Sequence, residues 1–471
     1  MTTISSGNSD LTILTPGDEL EAAVVDLRAG LAGRVLQPGD EDYETARQVQ
    51  NAIHDRFPAL IVQAANADDV ALAVRFARSR GLTLSVRSGG HSFAGLSVNN
   101  DGMVIDMRGL SDLSIDPETG VTRAGPAVTS AVLGAAAQEH GLALSTGDTS
   151  SVGLGGLTLG GGIGWMVRKQ GLTIDSLLSA EMVTAEGDIV RASAEENSDL
   201  FWALRGGGGN FGIVTEFEYQ LHQVGTIYGG LIALPATSEA VRAYADYARW
   251  APNELTTIGA LMASPPAPFV PEELVGKPVL IVLVCYAGDV EEGQRVVEPM
   301  RQIAQPLFEL MMPMPYPGIY DFTADAARPL RFLARSMFLD ELPNDVIEDW
   351  IDAAQLVSPM SMIQIRPLGG RLAEIGAGET AFAHREAGFM FASIGIWEES
   401  EGGQSEAAWA QAVYEMTAPY GNGVYVNFLQ SEPERIREAY PGDTYDRLVE
   451  IKRRYDPENV FSQNVNIKAE N

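Results

Sequence analysis

Apolar and polar positions change period along the chain in a readable order. Ala59 to Val62 is a short apolar run. Asn66-Ala67-Asp68-Asp69 then opens a helix that continues at helical spacing through Val70 to Arg78, and Leu82 to Val86 reads as a second strand. This strand-helix-strand unit empties into Arg87-Ser88-Gly89-Gly90-His91-Ser92. Val104 to Asp106 is another strand, and Ala131 to His140 another helix, with Gly141 in its stop position. Asp199 to Leu204 reads as a helix and Ile213 to Tyr219 as an alternating strand. From about residue 226 the character changes. Strands near Gly229, at Ile258 to Met262, Val279 to Val284, Met362 to Ile365 and Phe389 to Trp397 are interleaved with helices Ser238 to Trp250, Gln294 to Ala304 (kinked at Pro299) and Asn344 to Leu356. That mixture predicts an α+β domain with one sheet covered by helices. Strand Gly423 to Phe428 and helices Glu432 to Ala439 and Thr444 to Arg454 close the chain, and no repeat of fixed period is visible.

Composition narrows the function. The 471 residues are 45% hydrophobic and 20% charged, enough for at least one large core. Net charge is -31, which repels polyphosphate and anionic membranes, so neither nucleic acid nor a membrane surface is an expected partner. The single cysteine, Cys285, lies in an apolar run and reads as a core thiol; no internal disulfide or cysteine-based metal site can be built from it. The first twenty residues lack a basic start and a continuous apolar stretch, and no segment approaches the ~18 apolar residues of a membrane span. A soluble, cytoplasmic protein is the expectation.

The 49 glycines are concentrated at Gly89-Gly90, Gly147 to Gly164 and Gly206 to Gly212. Gly207-Gly208-Gly209-Asn210-Phe211-Gly212 satisfies G-x-G-x-x-G, but it follows a helix and leads into a strand. The dinucleotide fold needs a helix N-terminus just after that turn, so NAD binding at this loop is rejected. No phosphate loop with G-K-[ST] occurs either. The remaining reading is a diphosphate cradled by two glycine-bracketed turns, whose neutral backbone N–H groups matter more in so acidic a chain. Those turns are Arg87 to Ser92 and Thr146 to Gly164, with Arg87 and the hydroxyls of Ser88, Ser92, Ser150 and Ser151 as further donors.

These segments carry a resemblance. Arg87-Ser88-Gly89-Gly90-His91-Ser92, Val152-Gly153-Leu154-Gly155-Gly156 through Gly160-Gly161-Gly162-Ile163-Gly164, and Asn197 through Leu204 to Gly208 resemble the berberine bridge enzyme-like flavoproteins of the vanillyl-alcohol-oxidase (PCMH-type) superfamily. Tyr425-Val426-Asn427-Phe428 and Tyr455-Asp456-Pro457-Glu458-Asn459-Val460-Phe461 match the same family's closing region. The resemblance implies an α+β fold: a two-subdomain PCMH-type FAD-binding domain plus an antiparallel-sheet substrate domain covered by helices. It implies an N-terminal arm and helix over 1–40, the FAD domain over 41–225, the substrate domain over 226–420, and a C-terminal segment, 421–471, returning to the FAD domain.

By position, the resemblance makes His91 the residue bonded through a ring nitrogen to the flavin C8 methyl group; the alternative is a histidine that caps a turn beside non-covalent FAD. It assigns cofactor binding to Arg87, Ser88, Gly89, Gly90, His91, Ser92, Thr149, Ser150, Val152, Gly153, Gly155, Gly156, Gly162 and Val214. Thr149 stands where many relatives carry a second, cysteinyl link, and a hydroxyl is a poor nucleophile, so a single histidyl bond is expected. Val152 stands at the position associated with oxygen access, which favours an oxidase. Relatives take a substrate proton with an aromatic hydroxyl, here Tyr425; strand alternation would put Tyr425 and Asn427 on one face, with Arg366 as a source of charge. Phe391-Ala392-Ser393-Ile394 offers no carboxylate base.

His54, His140 and His222 read as structural, His384 as domain packing or a pocket wall, and no metal-ligand spacing exists. Met311 to Tyr316, with Tyr320 and Phe322, reads either as the wall of an apolar pocket or as a loop packed on its own domain. The leading expectation is an FAD-linked oxidase acting on an alcohol, amine or sugar C–H of a small molecule, with molecular oxygen as acceptor and peroxide as product. A flavin dehydrogenase using another acceptor and a non-catalytic flavin-binding protein are the alternatives.

Overall fold

The computed structural model describes residues 16–355, 358–398, 402–430 and 432–469. The first fifteen residues of the expected N-terminal arm, and Leu356 at the end of one expected helix, lie outside the described residues. Two sheets organise the first half. In the smaller, Leu60–Gln63 and Leu84–Arg87 run parallel on either side of Met103–Asp106, and Arg34–Leu36 joins antiparallel at the edge. The crossover is the helix Ala67–Ser79, started by the Asn66 side chain accepting the Asp69 N–H. Its Val70, Ala73, Val74 and Ala77 bury against Val62, Met103 and Ile105, which is why these parallel strands read as apolar runs. The second sheet is antiparallel, in the order Leu113–Ile115, Val121–Ala124, Ile213–Gln220, Leu177–Val183, Ile189–Ser193.

The second half is built on a seven-stranded antiparallel sheet. Its order is Phe308–Pro315, Thr226–Pro235, Pro278–Tyr286, Leu255–Ala263, Met362–Pro367, Phe389–Trp397, Arg331–Leu339. Alternation along each strand separates two faces. Leu280, Val282 and Val284, Leu261, Ile363 and Ile365, and Phe391 pack under the helices Ser238–Trp250, Val290–Ile303, Ile347–Ala354 and Gln404–Thr417. The residues between them face the other way, toward a cavity. The two sheets of the first half followed by one antiparallel sheet with helices on one side make up the expected α+β fold class.

Three local expectations differ. Gly423 to Phe428 is not a strand: Gly423 forms one bridge to Phe338, and Val426–Phe428 is a 3₁₀ turn. A strand would put Tyr425 and Phe428 on opposite faces, whereas the turn brings their rings to 5.6 Å, inside one aromatic cluster. Met311 to Tyr316, read as a pocket wall or a loop, is not a loop: through Pro315 it belongs to the strand Phe308–Pro315, paired to Thr226–Pro235 along one side, and Met312 and Met314 line the cavity; an edge strand tolerates Pro313 and Pro315. The helix over Pro299 starts at Val290, where the Asp289 side chain caps the Glu292 N–H, and continues to Ile303.

Two buried ion pairs tie distant segments together. Arg385 grips Asp175 with two hydrogen bonds of 2.8 Å, and the same carboxylate accepts the Leu172 N–H. Lys452 and Asp456 are fully buried at 2.6 Å. Lys452 also donates to the Asn210 carbonyl, and Asp456 accepts the Val460 and Phe461 N–H groups. The closing Tyr455 to Phe461 motif is therefore a clamp on the glycine loop at Asn210. Burial pulls the Lys452 pKa down, and the Asp456 carboxylate opposes that pull. Removing one partner strands the other charge without solvent, so Asp456→Ala is expected to lower unfolding free energy by ~3–5 kcal/mol in urea titration. A loss below ~1 kcal/mol would show that water reaches Lys452 and that the clamp is dispensable.

Candidate active site

The Leu84–Arg87 strand ends in the turn that carries His91. A Cβ on Gly89 would stand 2.5 Å from the Gly153 nitrogen, and one on Gly153 would stand 2.3 Å from Ser88 Oγ. The turn at Ser88 and the turn at Gly153 thus meet backbone to backbone, a contact that only glycine permits. Ser88 Oγ donates to the Pro126 carbonyl at 2.6 Å and fixes the first turn from below. Gly90 follows with φ +76, the left-handed region.

His91 is presented at the end of this arrangement, half-buried, with Nε2 2.9 Å from Ser151 Oγ. Burial, reinforced by the Arg87 charge and opposed by Asp148, brings its pKa down to about 4. The imidazole is consequently neutral near pH 7, the nucleophilic form. Thr149, in the position of the cysteine of many relatives, gives its hydroxyl to Asp148 at 3.1 Å.

Both turns open on a cavity of about 1360 Å³. Ser88 to Ser92 line it, as do Thr149, Val152, Gly153, Gly155, Gly156 and Val214. Gly208 to Asn210 and Asn464 continue the same wall, and the free face of the seven-stranded sheet forms the opposite one. Three of the expected cofactor residues stand elsewhere. Arg87 lies behind its turn, bonded to the Ala46 carbonyl, with its buried Nε unpartnered. The Ser150 carbonyl accepts the Ala131 N–H, and the Gly162 N–H donates to Tyr425. The first turn therefore offers the cavity the Ser92 hydroxyl and backbone groups, not the guanidinium, while the Ser88 hydroxyl is taken by Pro126.

Where the two walls meet, polar side chains converge. Arg366 pairs with Asp148 at 2.5 Å and donates to Gln364 Oε1 at 2.8 Å. Tyr425, 2% exposed, directs its hydroxyl at a cluster of donors: Gly162 N–H at 3.0 Å, Ile163 N–H at 3.3 Å and the Asn427 amide at 3.0 Å. Asn427 is held in turn by the Leu157 carbonyl at 3.1 Å. Tyr425 and Asn427 thus meet through a hydrogen bond within a turn and not across a strand face. Burial raises the Tyr425 pKa, while these three donors and the Arg366 charge pull it back. Asp148 and Gln364 were not among the expected catalytic residues. Gln364 shares the alternation of Arg366 and was findable by it; Asp148 carries no signal in its neighbours. His384 packs against Phe338 and its Nε2–H donates to the Glu438 carbonyl, away from the cavity. Among the described residues no group of side chains could hold a metal ion, and no helix is long and apolar enough to cross a membrane.

The residues fit a large anionic cofactor with a reactive ring: a neutral imidazole stands at the wall, and at Gly156 an added Cβ would meet nothing within 4 Å, leaving open backbone beside the cavity. Residues 58–193 match the family described as FAD binding domain, and residues 424–468 that described as berberine and berberine like. An FAD-linked oxidoreductase of Dictyostelium discoideum is 30% identical over 93% of this chain and 95% of its own length. The chain belongs to the berberine bridge enzyme-like FAD-linked oxidoreductases. FAD is the cofactor of this oxidoreductase family. The (R)-6-hydroxynicotine oxidase of Paenarthrobacter nicotinovorans is 29% identical over 93% of this chain and 97% of that protein. The crystal structure of 6-hydroxy-D-nicotine oxidase from Arthrobacter nicotinovorans superposes with a TM-score of 0.84 at 28% identity, covering 93% and 98% of the two chains. Berberine bridge enzyme from Eschscholzia californica shares the fold with a TM-score of 0.83 at 21% identity, over 95% and 99%.

The meeting of the two turns gives a direct prediction for this oxidoreductase. Gly89→Ala forces the Gly153 backbone away, so the purified protein should have a several-fold lower flavin-to-protein absorbance ratio than wild type. Gly225→Ala, where a Cβ meets nothing within 4 Å, should leave that ratio unchanged. Equal flavin content in Gly89→Ala would mean that the contact does not shape the cofactor site.

Proposed function

We propose that this chain is an oxidase that carries FAD through a single bond to His91, removes the elements of hydrogen from a C–H and its adjacent O–H or N–H in an alcohol, amine or sugar, and uses molecular oxygen as acceptor. When bound, FAD supplies a hydride acceptor whose two electrons pass to oxygen, which with two protons leaves as hydrogen peroxide. The observation that supports this best is the convergence of three N–H donors on the Tyr425 oxygen at the cavity wall.

Tyr425 takes the substrate proton. A neutral phenol is a weak base, so this role needs the phenolate, and a phenolate at that point accepts all three donors. Arg366 adds positive charge, partly offset by Asp148 at 2.5 Å. Asn427 acts as a positioning residue, because its amide reaches both the Leu157 carbonyl and the Tyr425 oxygen. His91 is neutral and turned by Ser151, the condition for bonding an electrophilic carbon. The Thr149 hydroxyl, occupied by Asp148, supports one link and not two. Val152 lines the cavity, in keeping with oxygen access.

Because Tyr425 must lose its proton to act and burial raises its pKa, turnover should climb toward alkaline pH. With a substrate found by flavin bleaching, oxygen consumption and peroxide release should match one to one. Tyr425→Phe should lower kcat by ~10²–10⁴ and abolish the alkaline rise. Asn427→Leu removes a donor to the phenolate and should displace that rise to higher pH. Turnover without peroxide would make the enzyme a dehydrogenase, and an unchanged kcat in Tyr425→Phe would place the base elsewhere.

A further inference from the structure

The free face of the seven-stranded sheet lines the cavity, and its chemistry is one-sided. Every side chain that the sheet's strands turn toward the cavity is apolar except Gln364 and Arg366. Ile258 and Met262, Ile281 and Leu283, Met312 and Ile394 illustrate the rest. The two exceptions sit together on Met362–Pro367 and are already engaged, Gln364 by Arg366 and Arg366 by Asp148. Both belong to the polar corner that holds Tyr425. Phe269 and Phe322 extend the apolar lining past the sheet, while Asp321 and Asp325 are exposed to water.

A sugar carries hydroxyls on most of its carbons, so it needs hydrogen-bonding partners along its whole length. Against this sheet those hydroxyls would lose water and gain nothing, at roughly tenfold in affinity for each one left unpaired. An apolar ring system loses nothing there, and the methionines can adapt to its outline. Resting on the oxidase reading above, we infer that the substrate is a bulky, largely apolar cyclic compound whose only polar, oxidisable end reaches the corner of Tyr425, Gln364 and Arg366, and that oligosaccharides are excluded.

Anaerobic titration of the holoenzyme tests this with two probes, 2-naphthol and cellobiose, each followed as a shift or bleaching of flavin absorbance. Half-saturation with 2-naphthol should fall at least tenfold below that with cellobiose. Leu283→Gln should raise the 2-naphthol value at least fivefold. Met312→Gln, at a position 37% exposed on the edge strand and therefore safe for folding, should raise it as well. Tighter or equal binding of cellobiose overturns the inference while leaving a flavin oxidase intact. A flavin spectrum that 2-naphthol does not move overturns it too. Absence of flavin from the folded protein would instead overturn the oxidase reading on which it rests.

Discussion

Two peptide backbones lie in contact at Gly89 and Gly153, closer than any side chain would allow, and the cofactor half of the protein is arranged around that contact. Each turn adjoins an element with its own core: the first follows the strand Leu84–Arg87, packed with Ala67–Ser79, and the second opens the helix Leu154–Leu159, packed with Ser130–Gln138. Bringing the turns together leaves backbone donors and small hydroxyls on one wall of the cavity and delivers His91 to it. A chain of net charge -31 that binds a diphosphate gains from neutral donors, since they need no lysine or arginine at the phosphates. The position of Arg87, tied to the Ala46 carbonyl behind its turn, agrees with that division of labour.

The second half contributes the complementary wall. Strand alternation gives the large sheet a helix-covered face and a cavity face, and its polar side chains are concentrated where the Met362–Pro367 strand meets the first half. The Arg366–Asp148 pair spans that junction, as the Arg385–Asp175 fork does deeper in the protein. Charges buried this way are costly unless paired, so each pair fixes the relative placement of the segments it joins. The Tyr425 oxygen depends on the same placement: two of its three donors, Gly162 and Ile163, belong to the first half.

Much of this was legible in the residues. Periodicity alone located the helix Ser238–Trp250 and the strand Phe389–Trp397 at their observed limits, because each has one face fully committed to the core. The glycine clusters marked where backbone approaches backbone. What escaped was decided by long-range contact. The Tyr425 segment looks like a strand by alternation, but its rings and its hydroxyl find better partners in a turn. The edge strand Phe308–Pro315 hides behind its prolines. Asp148 looks like any acid beside a glycine, and only folding places Arg366 against it. Arg87 looked like a phosphate ligand because charge was visible and burial was not.

The central claim is that His91 bears the flavin, and the most direct measurement is peptide mapping of the denatured, protease-digested holoenzyme by fluorescence and mass. A single flavin-bearing peptide containing His91, heavier by one FAD or by the flavin fragment left after digestion, is the expected result. Complete release of the flavin into the denaturing solvent, or its recovery on a peptide lacking His91, would contradict it.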